Sequence, residues 1–453
     1  MYSLKIVSIK KESTTNTNNY RPISILPIFS KIIESIVNKQ LINFLETKRI
    51  LIKTQFGFRK KHSTTLALAD LISDIAEKLD KGYITFGIFI DLKKAFDTIN
   101  HDILFNKLQY YGIRGLPLLW FKNYLYDRKQ SVKINNTTST YRPMKCGVPQ
   151  GSILGPILFL IYINDINNST NAFDFRLFAD DTNLFQYIIC NTINLAHINT
   201  DFQRVCEWCS ANKLTLNVNK TKFMTITTPR KHLTIEGGLG SHDSQIEGVT
   251  SINYLGISID QYLNWKPHIE QIRKLIAPKV GVISQIRHHV PKSILLLIYN
   301  SLILPHISYC LEIWGNTYPT LLEPILLLQK KVVRLISFAD YHAHTAPLFK
   351  TLGILNIHQL CKYKICLFVF DLNDNRYAHD ITHYLSPLPH QYSTRLASGE
   401  NYYIPKMNLT LCQHTLKYAA TKHWNSLPDP IKIIKNRTTF KNTLKHHILN
   451  SNL

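Results

Sequence analysis

"FDFRLFADDTNLFQY", residues 173–187, alternates apolar and polar residues on either side of an Asp-Asp pair, the pattern of a β-hairpin with Asp180 and Asp181 at its tip. Such a pair is most often a solvated turn. It stands here in a chain whose formal net charge is +23, and a second reading competes, in which the pair is half of a divalent-cation site. Only further carboxylates can separate the two. "YITFGIFID", residues 83–91, supplies one: it is β-branched and aromatic on both faces, like a strand buried on both sides, and it ends in Asp91. If the two strands are neighbours in one sheet, Asp91, Asp180 and Asp181 converge on one edge. Three carboxylates so placed repel one another unless a cation lies among them, and oxygen-only donors favour Mg2+ or Mn2+ over zinc. Paired ions about 3.5–4 Å apart are suited to in-line displacement at phosphorus. Phosphoryl transfer on nucleic acid is the chemistry to weigh against the solvated turn.

Composition bears on the partner. The chain has 453 residues, 45% of them hydrophobic, enough for a large core divided into two or three units. Lys and Arg number 53 against 30 Asp and Glu, an excess of the sign that draws a polyanion through counterion release. Nucleic acid is the leading partner, and no basic amphipathic helix stands apart to suit a membrane surface. The eight cysteines are too dispersed for a secreted disulfide scaffold and read as reduced thiols of an intracellular protein, in cytoplasm and nucleus rather than secreted. The start "MYSLKIVSIKKEST" lacks the apolar core of a signal peptide. The longest apolar run, "ILGPILFLIYI" from Ile153, is too short to span a bilayer.

A short strand is expected at "LKIVSI", then an amphipathic helix after Pro27 with Ile28, Ile32, Ile36 and Leu41 near helical spacing. Ser63 or Thr64 caps a second helix, which stops at Gly82. Helices follow at about 95–110 and 115–127, then a hairpin in "QSVKINNTTSTYRPMKC" and a helix from Ile153 that is apolar nearly all round and therefore internal. Beyond residue 190 come a helix around 198–212, strands at "KFMTIT" and "INYLGISI", and from about 266 a mainly helical region. Periodicity is lost near 385.

The segments "NYRPISILPIFSKIIE" (19–34), "QFGFRKKHSTTLAL" (55–68), "GIFIDLKKAFDTINHDIL" (87–104), "CGVPQGSILGPILFLIYINDI" (146–166), "FADDTNLF" (178–185), "ANKLTLNVNKTKFM" (211–224) and "INYLGISID" (252–260) occur in that order. Together they resemble the reverse transcriptases of non-LTR (LINE-type) retrotransposons, closest to jockey-like elements. The resemblance implies an RNA-directed DNA polymerase of the right-hand α/β fold, with fingers and an antiparallel palm sheet, then a mainly helical thumb and C-terminal region. The expected divisions are fingers and palm over 1–265, a helical thumb-like domain over 266–385 and a basic C-terminal region over 386–453. It also implies that Asp91, Asp180 and Asp181 are the catalytic, metal-binding triad for two Mg2+ ions, with Mn2+ as an alternative. Phe96 matches the aromatic gate that leaves no room for a 2′-hydroxyl. Gln150 and Gly151 match the nucleotide-binding turn. Arg59 matches the triphosphate-binding arginine, whose planar fork suits phosphate oxygens. Lys220 or Lys222 would protonate the leaving pyrophosphate, and "YLGISI" (254–259) resembles the hairpin that grips the primer end. Asp97 is assigned a structural role. The implied partners are an RNA template, a DNA primer or target, and deoxynucleoside triphosphates. Elements of this type carry an endonuclease domain upstream, and none is expected in this chain, which leaves a catalytically inactive or domesticated nucleic-acid-binding remnant as the alternative.

Two motifs suggest zinc but sit in the wrong context. Cys361, Cys366, His379 and His383 have finger-like spacing, yet the cysteines fall in a helical pattern where a finger needs a hairpin. Cys206 and Cys209 read as two buried thiols on one helix face.

Overall fold

The computed structural model describes residues 2–8, 20–126, 128–134, 137–241, 244–378, 384–388 and 401–451. Strand β1 (Tyr2–Ser8) pairs antiparallel with β2 (Tyr20–Ile25), which leads through Pro27 into helix α1 (Ile28–Thr47). Helix α2 (Thr64–Asp80) starts at Ser63, whose side chain accepts from the Leu66 N–H, and Gly82 after it has φ +85. Strand β3 (Ile84–Ile90) follows, then helices α3 (His101–Tyr110) and α4 (Leu116–Leu125) and strand β4 (Lys129–Ile134), which runs parallel to β1. Next come α5 (Gly155–Ile163), β5 (Asp174–Phe178), β6 (Asp181–Ile188), α6 (Leu195–Ala211) and β7 (Lys222–Ile226).

Strands β7, β3, β6 and β5 lie side by side, antiparallel at every step, and Glu247–Gly248 adds a short parallel edge outside β7. Every residue of β3 is buried, because both faces of this sheet are covered. Ile84, Phe86, Ile88 and Ile90 face a core shared with α3, α5 and α6, whereas Phe89 faces a second core shared with α2 and the helical half of the chain. Helix α5 is buried along nearly its whole circumference, as its all-apolar sequence requires.

A hairpin of β8 (Ser251–Tyr254) and β9 (Ile257–Asp260) precedes the helical region, whose long members are α7 (Lys266–Ile286), α8 (Pro319–Ser337), α9 (Ile357–Asn373) and α10 (Arg437–Asn450). "INYLGISI" is therefore not one strand: Leu255 and Gly256 take positive φ and fold it back on itself. The expected 95–110 helix starts only at His101, because the Asn100 side chain caps it by accepting from Ile103 N and the residues before it form turns. Helix α1 departs further, since Ile28, Ile32 and Ile36 are 75%, 52% and 56% exposed while Glu34 is buried. Glu34 accepts from Tyr124 Oη and the Ile153 N–H, and these bonds turn its side of the helix inward.

None of the eight cysteines forms a disulfide; Cys206 and Cys209 are buried on α6 and Cys361 and Cys366 are buried within helix α9. The helix bears out the reading against a zinc finger there; His379 and His383 lie outside the described residues. Among the described residues, no helix is long and apolar enough to cross a membrane.

Candidate active site

Register decides the site. The ladder between β3 and β6 ends with Ile90 facing Thr182, so Asp91, which follows Ile90, and Asp181, which precedes Thr182, lie at the same end of neighbouring strands. Phe178 pairs with Asp181 across the β5–β6 hairpin, so only Ala179 and Asp180 form the turn, with Ala179 at φ +58. Asp180 is thus the turn residue, and Asp181 already opens β6. Asp91 is fastened from the far side by the 215–221 loop. Asn217 donates its backbone N–H to the Asp91 carbonyl (2.8 Å) and its side-chain N–H to Asp91 Oδ2 (2.7 Å), while Asp91 N–H donates to Thr221 Oγ1 (3.3 Å).

Asp181 is exposed at the start of β6, yet protein atoms crowd around its carboxyl. Burial of that kind first, and the neighbouring Asp180 and Asp91 carboxylates second, push it up to about 6. The three charges therefore lie close enough to oppose one another. Among the described residues, no three His, Cys, Asp or Glu side chains converge tightly enough to hold an ion. The donor set is all oxygen, and its mutual repulsion is what a divalent cation would relieve.

A second group gathers beside it. The Phe96 ring is half-buried, 4.8 Å from Phe159 and 6.3 Å from Phe58 between ring centroids. Val148 N–H donates to the Phe96 carbonyl (2.9 Å), and Gly147, at φ +84, sits where a Cβ would lie 2.7 Å from the Asp97 carbonyl oxygen. Gln150 donates from Nε2 to Asp97 Oδ1 (2.8 Å), and its own carbonyl accepts from Ser24 N–H (2.7 Å). Gly151 takes φ +96 at the open end of this turn. Phe96, Asp97, Gln150 and Gly151 thus belong to one packed unit. Burial raises the Asp97 carboxyl, and the Gln150 bond works against that rise.

Arg59 and the lysines are placed less simply. Arg59 is folded back, its Nε and Nη2 donating to the two Glu46 carboxylate oxygens (2.9 and 2.8 Å) and its Nη1 to the carbonyls of Ile52 and Gln55. That hydrogen-bonded fork holds the Glu46 carboxyl below its ordinary range. Lys222 pairs with Glu247 at 2.7 Å, whereas Lys220 is exposed in the loop that fastens Asp91. Asn217, Thr221 and Gln55 had no signal in the sequence beyond their presence in the quoted motifs.

A family model described as reverse transcriptase (RNA-dependent DNA polymerase) matches residues 9–259, more than half of the chain. The chain belongs to that family, and the family brings the right-hand polymerase fold. In Drosophila melanogaster, the probable RNA-directed DNA polymerase from transposon BS is 28% identical over 364 residues, covering 75% of this chain and 38% of that protein. The RNA-directed DNA polymerase from mobile element jockey, from the same organism, is 28% identical over 370 residues, covering 78% and 39%. The chain thus spans about two fifths of the length of these relatives. Among solved structures, a telomerase from Candida albicans is 13% identical with a TM-score of 0.44, over 78% of this chain and 66% of that one.

Proposed function

We propose that this chain is the RNA-directed DNA polymerase of a non-LTR retrotransposon, extending a DNA primer on an RNA template with deoxynucleoside triphosphates. The observation that carries the reading is the register that brings Asp91 and Asp181 to the same end of neighbouring strands and leaves Asp180 in a two-residue turn, together with the Phe96–Gln150 unit. The β7–β3–β6–β5 sheet is the palm, the elements around α1 and α2 are the fingers, 266–385 is the thumb and 386–453 a basic region along the template-primer. An intracellular setting, in cytoplasm and nucleus, agrees with eight cysteines that form no disulfide.

Asp91, Asp180 and Asp181 would hold Mg2+, two ions in the usual arrangement, with Mn2+ able to substitute. When bound, such ions activate the attacking primer oxygen and neutralise the departing pyrophosphate. The chain's own residues do the rest. Phe96 presents a ring where a ribose 2′-hydroxyl would have to pass, and Phe159 backs that ring. Gln150 is oriented by Asp97, and Gly151 lets the nucleotide approach the backbone. Arg59 would exchange the Glu46 carboxylate for triphosphate oxygens, which offer its fork the same bidentate geometry. Lys220 is the better placed general acid, because Lys222 is held by Glu247. Mg2+-dependent incorporation of dTTP onto oligo(dT) annealed to poly(rA) tests the reading; degradation of the template without need of deoxynucleotides would indicate a nuclease instead.

A further inference from the structure

We propose that Gln55 is a positioning residue for Asp180 and Asp181, the side chain that keeps their turn in the shape a divalent cation requires; this rests on the reading of the aspartates as metal-holding groups. A two-residue hairpin turn needs positive φ, which Gly or Asn usually provides. Here the position is filled by Ala179 at φ +58, a left-handed conformation that strains an L-residue with a Cβ. Something outside the hairpin must hold it.

Gln55 is 2% exposed, and its amide addresses both backbone groups of that residue. Its Oε1 accepts from the Ala179 N–H at 3.0 Å and its Nε2 donates, at a longer 3.4 Å, to the Ala179 carbonyl. The same Oε1 also accepts from the Gly57 N–H at 2.8 Å, which fixes the amide orientation. The backbone beside it reinforces the clamp: Leu177 N–H donates to the Thr54 carbonyl and Phe56 N–H to the Leu177 carbonyl, each at 2.9 Å. Gly57 completes the fit, since a Cβ there would lie 2.2 Å from Ala179 N. Gln55 acts through Ala179, the residue before the pair.

The loop has a second tie. Arg59 Nη1 donates to the Gln55 carbonyl at 3.3 Å, so the segment that clamps the aspartate turn also carries the arginine assigned to the triphosphate. Movement of Arg59 away from Glu46 would be felt at Gln55 and hence at the turn.

The test is Mn2+ binding to the purified chain, followed by electron paramagnetic resonance, with the thermal midpoint measured on each sample and Asp180→Asn as the reference for binding at the pair. Gln55→Met removes the amide at nearly constant volume and is expected to weaken Mn2+ roughly tenfold, the usual effect of losing a group that orients metal ligands. Adding Ala179→Gly, which makes positive φ cheap, should restore part of that affinity. Gln55→Asn keeps an amide but pulls it short by one methylene; it is expected to fall between Met and Gln, and it serves if Gln55→Met does not fold. A purely structural Gln55 would lower the thermal midpoint and leave the affinity of the folded protein unchanged. Equal affinity in the Gln55 variants and the unsubstituted chain, or binding in the unsubstituted chain that Asp180→Asn does not disturb, overturns the proposal. Mn2+ binding that depends on Gln55 in a chain that extends no primer would sink the polymerase reading and leave the positioning role standing.

Discussion

The role proposed for Phe96 in sugar selection is open to direct measurement. Its ring is half open and rests on Phe159, so Phe96→Val removes the wall without emptying the core. The ratio of kcat/KM for deoxynucleotides to that for ribonucleotides is expected to fall by about 10- to 100-fold, the scale of a single steric contact in a pocket. An unchanged ratio would make Phe96 a packing residue. The places of Phe96, Gln150 and the three aspartates were legible in the sequence because these residues stand at recognisable strand ends and turns. Gln55, Asn217 and Thr221 were not. Each acts on backbone or carboxylate groups more than a hundred residues away in the chain, and no local spacing encodes such a contact. Arg59 was legible by type, but its bond to Glu46 depends on how α1 is rotated.

Among the elements, the β8–β9 hairpin assigned to the primer is held by a histidine that must stay neutral. Ser258 N–H donates to His268 Nδ1 at 3.3 Å, and the ring meets Trp314 edge to face at 5.2 Å. Burial lowers this imidazole to about 4, so the folded state resists protonation that the unfolded chain, near 6.5, accepts. Stability is therefore full above about pH 6.5 and falls as pH drops towards 4, with a loss of about 2 kcal/mol from this group by about pH 5. Thermal midpoints measured across that range should fall less steeply in His268→Asn, whose Oδ1 still accepts from Ser258. An equally steep fall would assign the acid sensitivity elsewhere. Helix periods were easy to read in α2 and α5, where apolar faces meet a core. In α1 the period was right and the face wrong, because the hydrogen bonds that bury Glu34 outrank the isoleucine stripe. The strand at "INYLGISI" was misread because a two-residue reversal at Leu255 and Gly256 leaves alternation almost intact on either side.

At the scale of the whole molecule, the change to a mainly helical pattern near 265 does not mark a break in the core. Leu66, Leu68 and Ile75 of α2 share one buried cluster with Ile276, Trp314, Ile365 and Trp424, and Cys412 Sγ donates to the Ala76 carbonyl at 3.1 Å. A chain ending at 265 would expose that face of α2. It is expected to unfold at a markedly lower temperature than the full chain or to aggregate, whereas a fragment as stable as the full chain in calorimetry would make the helical half a separate unit. Sequence reading missed this because a shared core is a property of packing between distant segments and leaves no mark on either one. The central claim is that these parts together copy RNA into DNA through the three aspartates, and one comparison tests it most directly. Extension of oligo(dT) on poly(rA) with dTTP and Mg2+ is measured for the chain and for Asp180→Asn, with duplex binding and thermal midpoint recorded for both. Extension by the first and loss of at least about 100-fold in the second, at equal binding, is the predicted result, a loss of the size expected when charge stabilisation at the reacting phosphate is removed. Equal extension by both, or binding of the duplex with extension by neither, would contradict it.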